Sequence, residues 1–206
     1  MALTIAATAV DAWALTAQNA VREGDVMNLS DSFASTVFVD VALGNTTAHT
    51  GTRILLQVSS SAADDEFWSD LVEFVAVVGT ANTEVMLNNP LAASGVQIEV
   101  ADLTGFTVAT GGVLQAFLLD NTVGNSEIVQ IVSTSVEGGN DLINIQDGVK
   151  RSHAVTTSVL SNVAESRAFA LPGGVLRARV LYDNLYDANG ATIYTRTRVV
   201  ETTSLT

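Results

Sequence analysis

Polar and apolar residues alternate over short runs along most of the chain, and this alternation predicts β-strands. In residues 36–43, Val37, Val39 and Val41 occupy every second position. Because successive side chains of a strand point to opposite faces, one face of this run is expected to be buried. The same reasoning predicts strands over seven further runs: residues 53–59, 96–100, 113–119, 127–133, 142–145, 175–182 and 191–200.

Residues 67–78 are apolar on both faces and admit two interpretations. One set of apolar positions has helical spacing, namely Phe67, Leu71, Phe74 and Val78. Another set fits a strand, namely Trp68, Val72, Phe74 and Val78. The length of the run and its β-branched residues favour a buried strand.

Glycine and proline mark the turns between the runs. Gly111-Gly112, Gly138-Gly139 and Asp147-Gly148 are expected to close hairpins, and Asn189-Gly190 predicts a hairpin between the last two runs. Two proline-containing turns, at Pro90 and Pro172, bracket an interior segment that contains no proline.

From these signals we predict an all-β protein. Its framework is an antiparallel β-sandwich of jelly-roll type, made of residues 21–89 and 166–206. Residues 90–165 are predicted to form an inserted acidic module, a small β-barrel or β-sheet. Residues 1–20 are predicted to be an extended N-terminal arm, of which the apolar start could equally be a first strand.

The composition sharpens this prediction. Valine occurs 28 times and threonine 23 times, and both residue types suit a pleated surface. There is no cysteine, which excludes disulfides and thiolate metal sites. No apolar run is long enough to suggest a membrane span, and the first basic residue, Arg22, comes too late for a secretory signal.

The net charge of −13 belongs to one part of the chain. Residues 54–149 carry 13 acidic residues and no basic one, whereas the remainder holds nine of each sign. Free nucleic acid is therefore an unsuitable partner, because phosphate binding needs a clustered basic face. Lys150 is the single lysine, and so little surface charge suits a subunit that associates with others.

Candidate chemistry is sparse. His49 and His153 have no metal-ligand neighbour at usable spacing and are expected in loops or turns. The acidic run 64–66, with Asp70 and Glu73, could in principle do glycosidase chemistry but is expected to be a solvated loop. The residues Asp183, Asp187 and Asn189 fit a turn better than a calcium loop. No catalytic residue, metal or cofactor is predicted.

Interface residues are predicted instead. Arg177 and Arg179 share one strand face, as do Arg196 and Arg198, and adjacent strands would bring all four cations together. This group is either a solvated polar face or a docking surface for acidic groups of a neighbouring subunit. Trp13 is a candidate anchor on a partner, whereas Trp68 is expected in the core. The remaining predicted interface residues are Leu3, Ile5 and Leu15 in the arm.

The segment from Gly95 to Val159 resembles a small β-module of tailed-bacteriophage structural proteins. The resemblance is one of pattern order and covers about a third of the chain. The elements that carry it are residues 96–100, Thr104-Gly105-Phe106, residues 125–131, Asp147-Gly148-Val149 and residues 150–154, followed by a strand around Val159. The residues at 155–157, Val-Thr-Thr, replace the glycine-threonine step that is common in such modules.

What the resemblance implies is a non-enzymatic structural role in a phage particle. The leading expectation is a capsid decoration, or cement, protein that forms a homotrimer and bridges capsomers of the head shell. Its partners would then be the major capsid protein and copies of itself, and its location the virion, assembled in the host cytoplasm. The alternatives are a tail, neck or fibre component of the particle and, from a different class, a carbohydrate-binding module.

Overall fold

The computed structural model describes residues 3–32, 34–63, 67–79, 83–161, 164–184 and 189–205, with the backbone alone for 3–9 and 203–205. Within these ranges the regular structure consists of β-strands and one 3₁₀ turn at Val123–Asn125, without an α-helix. The strands are β1 Leu3–Ala9, β2 Ala14–Thr16, β3 Val21–Glu23, β4 Met27–Asn28, β5 Ala34–Leu43, β6 Thr52–Ser59, β7 Ser69–Ala76, β8 Glu84–Met86, β9 Gln97–Val100, β10 Leu114–Leu119, β11 Glu127–Glu137, β12 Asn140–Ile145, β13 Ser158–Ser161, β14 Ala164–Ala170, β15 Arg177–Asp183 and β16 Ile193–Leu205.

Two antiparallel sheets form a β-sandwich. The first sheet has the strand order β1-β16-β5-β14, and β2 also pairs with β16. The second sheet has the order β3-β15-β6-β7, and β4 also pairs with β15. Their facing side chains form one apolar core, which includes Val39 and Ile193 from the first sheet and Ile54, Leu56 and Val180 from the second. Every second residue of β5 and β6 lies in this core, as the alternation predicts.

The third sheet, here called the module sheet, has the order β8-β13-β10-β11-β12-β9. It is strongly curled, and an isolated β-bridge between Leu87, which follows β8, and Val100 of β9 brings its two ends together. The concave side encloses a second hydrophobic core that includes Phe106, Ile131 and Ile143. The prediction of an all-β sandwich with a small β-module is thus confirmed.

The module sheet packs on the outer face of the first sheet. Along β10, Ala116 and Leu118 point into the module core, whereas Phe117 and the partly buried Leu119 point towards the first sheet and pack against its apolar residues. Phe117 contacts Tyr194 of β16, with 6.0 Å between the ring centroids. The first sheet is therefore covered on both sides, which explains why Asp40 and Ala42 on its outer face are fully buried.

The N-terminal residues form a strand of the first sheet. Both β1 and β2 run along β16, and a bulge separates them. At the bulge the amides of Val10 and Asp11 both donate to the carbonyl oxygen of Thr197, at 3.1 Å each. Of the two possibilities that the apolar start left open, the structure therefore has the first strand.

Several predictions of strand pairing are wrong. β15 and β16 lie in different sheets, so Asn189-Gly190 does not close a hairpin between them. Gly111-Gly112 and Asp147-Gly148 do not join paired strands either, whereas Gly138-Gly139 connects the hairpin β11–β12. The run 67–78 does contain a strand, β7, but this strand lies at a sheet edge and is not buried.

Candidate functional site

The most tightly built polar cluster surrounds His153, at the side of the module that faces the sandwich. Its Nδ1 lies 3.0 Å from Oδ2 of Asp120, and its Nε2 lies 2.8 Å from Oε1 of Glu127. The imidazole is fully buried. Since ionised carboxylate oxygens only accept hydrogen bonds, this geometry fits an imidazolium that donates from both ring nitrogens to the two acids.

Backbone groups complete the cluster. Glu127 begins β11 and accepts hydrogen bonds from the amides of Lys150 and Arg151, at 3.0 and 3.2 Å. Asp120 follows β10 and accepts from the Thr122 amide and the Thr157 hydroxyl, at 2.8 and 3.1 Å. The end of β10, the start of β11 and the loop between β12 and β13 are thereby fastened to one imidazole, which fixes that loop.

The charges of the cluster stabilise one another. Burial alone would lower the pKa of His153, but hydrogen bonds and charge from Glu127 and Asp120 raise it above its ordinary value. Burial would raise the pKa of both acids, yet their hydrogen bonds to His153 and the backbone hold each pKa below its ordinary value. An imidazole without exposure and with both nitrogens engaged stabilises the loops and does not meet a bound molecule.

A second polar cluster lies between the first sheet and the module. Asp40 of β5 is fully buried and receives hydrogen bonds from Arg196 Nε and Nη2, at 2.9 and 2.7 Å. Arg198 donates from Nε and Nη2 as well, at 2.8 and 2.9 Å, and the Ser166 hydroxyl donates at 2.6 Å. Burial raises the pKa of Asp40, but these donors and the two positive charges lower it to below its ordinary value.

The prediction that four arginines form one group is wrong. Arg196 and Arg198 lie on the outer face of the first sheet, whereas Arg177 and Arg179 lie on the outer face of the second. Arg179 Nε donates to Gln57 at 2.8 Å, and its guanidinium lies 4.4 Å from the ring centre of Trp68. Trp68 is therefore a half-buried surface residue under arginines, not a core residue as predicted.

The prediction of Trp13 as an anchor on a partner is also wrong. Its side chain is 3% exposed and packs within the chain, 4.8 Å from the ring of Phe117. It lies between the first sheet and the module, where the guanidinium of Arg196 is 4.6 Å from the centre of its ring. Leu15 is 51% exposed, whereas Leu3 and Ile5 lie on β1, where the backbone alone is described.

The expectation that both histidines occupy loops or turns missed their role. His49 is buried and accepts from the Val78 amide at Nδ1, so its Nε2 donates to Thr52, at 2.9 Å. The sequence did hold one signal for His153, since the resembling segment contains both Glu127 and the Arg-x-His-Ala element at 151–154.

The predicted acidic clusters have ordinary partners where they are described. Asp70 accepts from Gln57 and Glu73 pairs with Arg53, both at 2.8 Å, as expected of a solvated strand face. Residues 64–66 and Asp187 lie outside the described residues. Among the residues that the structure describes, no group of three or more His, Asp or Glu side chains is placed to hold a metal ion.

Comparisons with known proteins do not assign the chain to a family. No protein-family model matches the chain, and no curated protein matches it either. Among solved structures, a chain from the structure of the infectious bursal disease virus Gx strain is similar with a TM-score of 0.18 and 10% sequence identity. The similarity covers 98% of this chain and 81% of that chain. A TM-score of this size does not establish a shared fold.

In the part of the chain that the structure describes, no helix is long and apolar enough to cross a bilayer.

Proposed function

We propose that the chain is a non-enzymatic virion structural protein of a tailed bacteriophage, a capsid decoration protein that bridges capsomers of the head shell. The observation that carries the proposal is a free edge of the second sheet that exposes several apolar side chains. β7 pairs with β6 on one side and with no described strand on the other. On or beside it, Phe67, Val75 and Val77 are 65%, 49% and 55% exposed.

An exposed apolar edge strand is a surface built for association. Its unpaired backbone groups can accept a further strand, and soluble monomers protect such edges with lysine or proline. β7 contains neither residue type, and its two charged residues, Asp70 and Glu73, are engaged by Gln57 and Arg53 of the neighbouring strand. The exposed valines add apolar area, which is the main source of binding energy in a permanent interface. The edge therefore fits a contact with the major capsid protein or with another copy of the chain.

The module supports the phage assignment through its resemblance to a module of phage structural proteins. The segment that carries the resemblance forms a curled sheet with a hydrophobic core of its own. It covers the outer face of the first sheet and leaves the β7 edge uncovered. In the proposed arrangement the sandwich edge contacts the shell, and copies of the chain associate as a homotrimer.

The test is reconstitution on expanded capsids that lack the chain. Purified protein is added, and bound copies per capsid and the temperature of shell disruption are measured. The edge variant Val75→Lys with Val77→Lys is compared with Val136→Lys, which changes a valine of β11 that is 66% exposed. We expect the unmodified protein and the β11 variant to bind and to raise the disruption temperature, and the edge variant to lose at least tenfold in affinity.

Failure of the unmodified protein to bind or stabilise the capsids would overturn the decoration role. Equal loss in the β11 variant would show that the β7 edge is not the contact. Electron micrographs of labelled particles add an independent result, because a label confined to tails would identify a tail, neck or fibre component instead.

A further inference from the structure

Two adjoining cavities lie between the first sheet and the module, with volumes of about 380 and 130 Å³. They share Glu127, Lys150 and Arg196 in their walls, and Arg198 lines the larger and Arg151 the smaller. Four of the nine basic residues of the chain thus gather at one place, in a protein with a net charge of −13.

The acids beneath these cavities are already satisfied by the protein. Both oxygens of Asp40 accept hydrogen bonds, from Arg196, Arg198 and Ser166, and the residue is fully buried. Both oxygens of Glu127 are engaged as well, one by His153 and the Arg151 amide and the other by the Lys150 amide. Turning either carboxylate toward the cavity would break hydrogen bonds that it makes within the protein.

The basic side chains, in contrast, have N–H donors without an acceptor among the described residues. The Lys150 ammonium makes no hydrogen bond or ion pair with any described residue, and its side chain is exposed. Arg196 and Arg198 use Nε and Nη2 on Asp40, so Nη1 of each has no described acceptor. Arg151 donates a hydrogen bond from Nη1 to the carbonyl oxygen of Gly124, and its Nη2 has no described acceptor. Asp147, on the wall of the larger cavity, is the one acid there without a described partner.

We propose that this cleft is a binding site for an oxyanion group, a phosphate or a carboxylate, held by Lys150, Arg151 and Arg196. Guanidinium and ammonium groups with unused donors bind such oxygens through charge-assisted hydrogen bonds. The cleft walls exclude part of the water, which strengthens the attraction relative to an open surface. The smaller cavity has room for one such group. The site exists whether or not the chain decorates a capsid.

The test is a titration followed by amide chemical shifts, with ionic strength held constant by sodium chloride. Inorganic phosphate is used in one arm and citrate in the other. We expect saturable shifts at residues 148–151 and 196–198 in at least one arm. Saturation by phosphate alone identifies a phosphate site, and saturation by citrate alone a carboxylate site.

Variants connect the shifts to the cleft. Lys150→Gln combined with Arg151→Gln should weaken binding by about tenfold or more, since it removes two of the three ligating cations. Arg167→Gln is the matched control, because Arg167 is an exposed basic residue of β14 that pairs with Glu165. Thermal melting of each variant verifies that it is folded. Shifts that stay linear in both arms, or binding that the double variant retains, would overturn the assignment.

Discussion

Asp40 of β5 and Arg196 of β16 lie directly opposite each other in the first sheet, with 2.7 Å between Oδ2 and Nη2. A buried carboxylate with a single partner would be costly, because each ion loses its hydration. Here Arg198 supplies a second guanidinium, and Asp40 is fully buried whereas the side chains of Arg196 and Arg198 are 19% and 37% exposed. The pair is therefore both a cross-strand link of the first sheet and the floor of the cleft beneath the module.

Replacing Asp40 by Asn should destabilise the protein substantially. The substitution leaves Arg196, which is 19% exposed, without its buried counter-charge, and breaking a buried ion pair costs about 3–5 kcal/mol. Chemical denaturation would measure the loss. The control is Glu165→Gln, which breaks the exposed pair with Arg167 and should cost about 1 kcal/mol or less. Similar losses in both variants would contradict the distinction between the buried and the exposed pair.

The pH dependence of the Asp40 contribution has a definite sign. The pKa of Asp40 in the folded protein lies below its ordinary value of 3.8. A depressed pKa stabilises the folded state above the ordinary pKa, and this contribution is lost as the pH falls through the depressed value. The unmodified protein should therefore lose more stability than Asp40→Asn when the pH is lowered below about 4. Parallel acid unfolding curves would contradict this expectation.

His153→Gln should destabilise the module and remove part of its alkaline pH dependence. Without the imidazolium, Asp120 and Glu127 are left as close acids without their shared counter-charge, at a cost of about 3 kcal/mol or more. The pKa of His153 is raised from 6.5, so its charge stabilises the fold fully below pH 6.5. That contribution is lost as the pH rises through the raised value, and the variant should lack this loss.

Denaturation between about pH 5 and pH 9 measures both effects. A matched pair of substitutions at glutamates assigns them to the cluster. Glu127→Gln weakens the hold on His153, whereas Glu137→Gln changes an exposed residue at the end of β11. Only the first should lower stability and shift the alkaline limb. A flat difference between the unmodified protein and His153→Gln across this range would show that His153 is not charged in the fold.

The sequence predicted strand faces well and strand partners poorly, and the reason is physical. Alternation with a period of two shows which side chains of β15 and β16 share a face. It does not say which strand lies alongside, because pairing depends on the path of the chain between sheets. The prediction that the two arginines of each Arg-x-Arg pair share a strand face was thus correct. Their partners could not be predicted, because Arg196 and Asp40, for example, are 156 residues apart.

The His153 cluster was beyond sequence reasoning for a similar reason. Asp120 and Glu127 precede the histidine by 33 and 26 residues. No fixed spacing relates these residues, since the curl of the module sheet brings them together. Trp13 shows another limit, because the sequence does not reveal that the module covers the face of the first sheet on which this residue lies.

Two substitutions at Trp13 should separate packing from hydrogen bonding. Trp13→Ala leaves a cavity between Phe117 and the first sheet and should cost about 3–5 kcal/mol. Trp13→Phe keeps an aromatic ring and removes an indole Nε1 that is buried without a described acceptor, so its cost should be much smaller. Denaturation measures the stability, and hydrogen exchange in β10 reports whether the module loosens. Equal costs would show that the indole nitrogen has an acceptor after all.

The close approach of two loops at the rim of the cleft requires glycine at position 148. An added Cβ would lie 2.5 Å from the carbonyl oxygen of Ser94, which is backbone and cannot move aside freely. The Ser94 amide also donates to Val149 at 2.7 Å, so the two loops are fastened together. Gly148→Ala should therefore cost about 1–3 kcal/mol and shift amide signals on both loops. Gly173→Ala is the matched control, since nothing lies within 4 Å of its added Cβ. Its stability should change by less than about 1 kcal/mol in either direction. If Gly148→Ala were as well tolerated as the control, the loops would not be held at the spacing seen in the structure.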